Sequence, residues 1–108
     1  MKRFIANYML VPGRGVLNNH ILTINDLGQM MSLTPLNDEL AYTIYISDTV
    51  AIVCNHDEQK LLDSFSSIQN QNELKSLFVE GDFNEINKGL TLSIFKFDFK
   101  SRYIEKLS

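Results

Sequence analysis

Hydrophobic spacing changes twice along this 108-residue chain, and those two changes constrain the fold more than any motif does. From Arg3 to Cys54 apolar residues alternate with polar ones or gather in short runs, as they do in strands. After Asn55 they recur at three- and four-residue intervals: Leu61, Leu62, Phe65 and Ile68, then Leu74, Leu77 and Phe78. That is the signature of amphipathic helix. From Leu90 the alternation returns in "LTLSIFKFDF". A late strand must pair its backbone groups, because each one buried unpaired costs about 1–3 kcal/mol. The helical stretch before it offers no strand. Its partner is therefore expected among the strands that precede Cys54, so that contacts distant in sequence close the fold.

Turn chemistry divides the first half. "RFIANYMLV" (3–11) stops at "PGRG", where Pro12, Gly13 and Gly15 mark a turn. A second strand is expected over "VLNNHILTI", closed by "NDLG" with Asn25, Asp26 and Gly28. "QMMSLTPL" reads as a third strand with Pro35 near its end, followed by the connection "NDEL". "AYTIYI" reads as a fourth with one wetter face. "SDT" reads as a turn, and "VAIVC" as a fifth strand buried on both faces. "RYIEKL" is a candidate last strand. The expected fold is α+β, mostly β: an antiparallel sheet or β-sandwich built from both chain ends, with a one- or two-helix insertion over about residues 56–80. Length points to a single domain, 1–108.

Composition narrows the partners. The formal charge of −3 argues against a general nucleic-acid binder, which needs a basic face. No apolar run approaches the roughly 18 residues of a membrane helix, so no membrane role is expected. The alternation in "MKRFIANYMLVPGRG" fits a strand better than a leader. A lone Cys allows no intrachain disulfide and suits a reducing, cytoplasmic setting.

"MKRFIANYML", "HILTINDLGQMMSL" and "TIYISDTVAIVCNHDE", followed late in the chain by "EINKGLTLSIFKFDFKSRYIEKLS", resemble the two ends of amidohydrolase-superfamily metal-dependent hydrolases. "QKLLDSFSSIQNQNELKSLF" is similar to the helices before the second of those ends. In that family the two ends form a β-sandwich, the composite domain, beside a catalytic (β/α)₈ barrel. Where the family carries His-x-His, this chain has Asn55-His56-Asp57. The later metal ligands have no counterpart. The resemblance thus implies a composite-type β domain with the barrel, and its chemistry, missing.

The candidate chemistry sits in "VCNHDEQ" (53–59). Cys54, His56 and Asp57 could be ligands, with Glu58 lending a carboxylate and His20 a second imidazole. A zinc site needs three or four ligands in fixed spacing, and no second His or Cys pair exists here. The competing reading is a strand-to-helix junction: Asn55 as N-cap, Glu58 completing a capping box, and Asp57 and Glu58 on the positive end of the helix dipole. That reading is preferred, with no catalytic, metal or cofactor residues assigned. Cys54 is expected to be a small buried hydrophobe, since a nucleophile needs a base beside it. "PGRG" lacks the Lys-Ser/Thr and following helix of a phosphate loop. Phe95, Phe97 and Phe99, interleaved with Lys96, Lys100 and Arg102, share one strand face. They are expected to be core, or else an interface.

Three functions remain open. The first is a non-catalytic β domain acting through protein binding or homo-oligomerisation. The second is a small metal- or thiol-dependent hydrolase using Cys54, His56 and His20. The third is a small-ligand-binding α+β module.

Overall fold

The structure is a computed structural model, and it describes residues 1–36 and 43–108. The "NDEL" connection, with Ala41 and Tyr42 of the expected fourth strand, lies outside the described residues. Among the described residues, seven strands form one sheet: β1 (Lys2–Val11), β2 (Gly15–Leu17), β3 (His20–Ile24), β4 (Met30–Pro35), β5 (Thr43–Cys54), β6 (Leu92–Asp98) and β7 (Tyr103–Lys106). A 3-10 turn (Asn55–Asp57) leads into α1 (Glu58–Phe65), and α2 (Gln71–Val79) follows. The class is α+β and mostly β, with the helices inside the expected stretch. No helix among the described residues is long and apolar enough to cross a membrane.

Strand order is β4-β3-β1-β5-β6-β7, with β2 added beside the end of β1. One feature departs from expectation: the sheet is mixed, because among the described residues β1 and β5 run parallel while every other pair is antiparallel. Of the two forms expected, sheet and sandwich, it is the single sheet, and it is curled. Alternation cannot report strand direction, so both the parallel pair and the curl are decided by tertiary packing. β6 pairs with β5, from Thr49 opposite Phe97 to Cys54 opposite Leu92. The late strand does find its partner before the helices.

Two strand boundaries also move. "VLNNHILTI" is two strands, broken where Asn19 takes a left-handed φ of 54°. "TIYISDTVAIVC" is one strand of 12 residues, not two strands and a turn. Instead of turning at "SDT", the β1–β5 register slips: Ala6 faces Ile46, but Tyr8 faces Thr49. One extra residue of β5 is absorbed there as a bulge. On β1 the inward positions change step in response, from Phe4 and Ala6 to Met9 and Val11.

Each face has its own core. The inner face of the curl packs Phe4, Leu22, Ile24, Ile46, Ile52 and Ile94 against one another, with Ile86 and Leu107 filling in from outside the strands. The curl is held where β4 begins. There Met30 N–H donates to Leu90 C=O, Leu92 N–H donates to Gly28 C=O, and Gln29 bridges Thr91. Gly28 closes the β3–β4 hairpin with φ 78°, and the Asn25 side chain accepts from the N–H groups of Leu27 and Gln29. On the other face α1 and α2 lay Leu61, Leu74 and Phe78 over Ala51, Val53, Phe95 and Phe97.

Candidate functional site

At the strand-to-helix junction the chain leaves β5 with Asn55 N–H still bonded to Thr91 C=O. The Cys54 side chain falls on the inner face, 2% exposed, with Sγ 3.8 Å from Glu85 C=O. Burial raises the Cys54 thiol above its ordinary pKa, and the neighbouring Asp57 charge raises it further. A raised thiol pKa disfavours the thiolate, the form that attacks carbonyls and binds metals.

Asp57 is buried and serves the loop that crosses above it. Its carboxylate accepts from Asn84 N–H at 2.9 Å and from Asn84 Nδ2 at 3.1 Å. Asn84 Nδ2 also lies 3.0 Å from His56 Nε2, so that ring nitrogen is engaged by an amide. Glu58 turns to the sheet: Ser93 Oγ donates to it at 2.6 Å and Lys106 Nζ at 2.9 Å. These two hydrogen bonds, Ser93 first, hold the Glu58 carboxyl below its ordinary pKa.

The expected helix start needs correction. Asn55 caps no helix with its side chain; Cys54 precedes the 3-10 turn and Asp57 precedes α1, neither with a side-chain cap bond. The capping box expected at Asn55 and Glu58 therefore does not form, because Glu58 is drawn to Ser93 and Lys106. His20 stands apart from Cys54. It lies opposite Ala6, which faces Ile46, while Cys54 is eight residues further along β5. At about 3.3 Å per residue that is a separation of roughly 26 Å. Among the described residues no three His, Cys, Asp or Glu are grouped to hold a metal ion.

Two rings of the aromatic stripe are enclosed and Phe99 is half-buried. Phe95 and Phe97 are 2% and 1% exposed, and Phe65 of α1 stands 5.4 Å from Phe97. Arg102, with φ 59°, sits 4.9 Å over the Phe65 ring and donates to the carbonyls of Phe65 and Ile68. Lys96 lies between Asp48 and Glu105. Two of the three basic side chains that alternate with the rings thus have partners within the fold.

The surface that remains is at the other end of β5. β6 pairs with β5 only from Thr49 onward. Among the described residues, Ile44–Asp48 therefore has β1 on one side and no strand on the other. Ile44 and Tyr45 are 45% and 60% exposed. Where the overhang meets the end of β6, at the bulge, a cleft of about 350 Å³ opens. Asn7, Asp48, Gln71, Asp98 and Phe99 are among the residues that line it. Tyr45 Oη donates to Asn7 Oδ1 at 2.6 Å, and Thr49 Oγ1 donates to Gln71 Oε1 at 3.1 Å.

Sequence reasoning passed over this cleft by treating Ser47 and Asp48 as a turn. One signal pointed to it: the alternation of "FIANYMLV" breaks step at Asn7. Among the described residues, no Cys, His, Lys or Arg lines the cleft. Open backbone groups, two carboxylates and amides make it suited to binding. No family model, curated protein or solved structure matches this chain.

Proposed function

We propose that this chain is a non-catalytic binding domain that takes up an extended segment of a protein partner as an added strand along Ile44–Asp48. The observation that carries the proposal is the overhang of β5 beyond β6. A strand edge with open N–H and C=O groups is a ready template for another strand. In β-augmentation those backbone groups supply affinity, while flanking pockets select side chains. Ile44 and Tyr45 provide exposed apolar surface for such a segment, and the cleft at the bulge provides a pocket at its end.

The proposal extends the likeness to an amidohydrolase composite domain without its barrel, a part with architecture and no metal chemistry. It also includes a cytoplasmic setting, supported by the single buried thiol of Cys54. Self-association through the same edge is the case in which the partner is a second copy.

Selection from a phage-displayed library of unstructured peptides, followed by amide exchange on the full chain, tests the idea. Enriched peptides are expected to slow exchange and shift resonances at Ile44–Asp48. Peptides that map elsewhere, or no enrichment over background, would overturn it. Light scattering across a concentration series assigns the edge to a second copy if a dimer forms with the same amides protected.

A further inference from the structure

Resting on the strand-addition reading, we infer that the cleft at the β5 bulge selects partners carrying an arginine side chain where the added strand passes Asp48. Among the described residues, Asp48 and Asp98 are the only charged ones lining it, and both are carboxylates. Neither is fully neutralised by the fold. The nearest cation to Asp48 is Lys96, whose Nζ stands 4.0 Å away and lies closer, at 3.5 Å, to Glu105. Asp98 accepts from the backbone N–H groups of Lys100 and Ser101, with the Ser101 hydroxyl and the Lys100 charge also acting on it, and the exposed Lys100 ammonium is within no ion-pair distance of it.

The third element is a ring. Phe99 stacks on Phe97 with centroids 5.9 Å apart and planes 13° from parallel, and it is half-buried while Phe97 is enclosed. A flat aromatic face beside two carboxylates matches a guanidinium, which is planar, stacks on rings and donates in a fork. An ammonium offers charge without that shape. A partner carboxylate would meet two like charges, a form of discrimination by repulsion. The cleft adjoins the exposed edge, since Asp48 belongs to both. One side chain of a strand laid along Ile44–Asp48 can therefore enter it.

The test titrates the nitrogen-15-labelled full chain with N-acetyl-arginine amide, N-acetyl-norleucine amide and N-acetyl-glutamate amide. Saturable shifts at the amides of Asn7, Asp48, Thr49 and Phe99 are expected with the arginine probe. Its affinity should exceed that of the norleucine probe by about fivefold or more, and should weaken in about 0.5 M salt. The glutamate probe should leave these amides unmoved. Asp48 is exposed, so Asp48→Asn should keep the fold while reducing the arginine preference. Equal response to arginine and norleucine, or an unchanged preference in Asp48→Asn, would overturn the inference. Library peptides that protect the edge without arginine enrichment would refute the cleft's role and leave strand addition standing. Arginine binding in the cleft with no peptide ever protecting the edge would do the reverse.

Discussion

Two halves of one strand differ more than any two strands of the sheet. In β5 the last six residues, Thr49–Cys54, are all buried. They pair with β1 and β6 and have packed side chains on both faces. The first six, Thr43–Asp48, include four exposed residues and a single buried one, Ile46. Both halves are strand, joined at the bulge. What differs is the number of neighbours, and with it the free energy of releasing each segment. Hydrophobic stabilisation runs at about 25 cal/mol per Å² removed from water, so a strand's contribution follows its cover rather than its geometry. One strand can therefore anchor the core at one end and offer an edge at the other.

The contrast can be broken most severely by removing the cover. Truncation after Gly89 deletes β6 and β7, exposing Ala51, Val53 and the helix faces that pack on them. It should abolish the cooperative thermal transition altogether. A transition surviving near the full-length midpoint would mean that β1, β3, β4 and β5 stand alone. Next come paired truncations along β5. Ile52→Ala, in the enclosed half, should cost about 2–5 kcal/mol. Ile44→Ala, on the overhang, should cost less than about 1 kcal/mol. Chemical denaturation measures both, and comparable losses would erase the distinction between the halves.

A smaller effect is expected at Glu58, which ties α1 to Ser93 of β6 and Lys106 of β7. Its carboxyl is held below its ordinary value, so its stabilisation is present above the unfolded carboxyl's titration near about 4.3. It fades as pH falls through the lower folded value. Glu58→Gln should therefore cost about 1 kcal/mol at neutral pH and approach the wild type in acid. A gap that stays constant with pH would show that the charge is not involved. The smallest expected difference separates two asparagines. Asn70→Ala should cost about 1 kcal/mol through loss of a helix cap. Asn55→Ala should stay within about 0.5 kcal/mol. Reversed values from the same denaturation series would place the cap at the wrong helix.

Those asparagines also show how far local patterns can be read. Asn55-x-x-Glu58 and Asn70-x-x-Glu73 carry the same N-cap spacing. The second works as the pattern says: Asn70 Oδ1 accepts from Glu73 N–H at 3.0 Å, and Glu73 turns back to Gln69 N–H. It lies on the exposed surface, where nothing competes. At the first, Ser93 and Lys106, distant in sequence, capture the glutamate. The strand-helix-strand succession was legible because hydrophobic period is a local property. The parallel β1–β5 pair, the bulge hidden in "SDT" and the merging of two expected strands were not, since each depends on a partner strand. The cleft was less legible still. Asn7, Asp48, Gln71 and Asp98 come from four separate segments, and only the broken alternation at Asn7 hints at their meeting.

The burial of Cys54 makes it a built-in reporter on the junction. It is the one thiol in the chain, enclosed beneath the 84–85 segment and beside the Asn55–Thr91 bond. A thiol reagent can reach it only when that junction opens, so under rapid reclosing the labelling rate measures the opening equilibrium. Its dependence on urea then separates two events. A shallow slope means the loop lifts alone, and a steep one means the whole sheet comes apart. Tether and core can thus be timed separately in the unmodified chain, without an added probe.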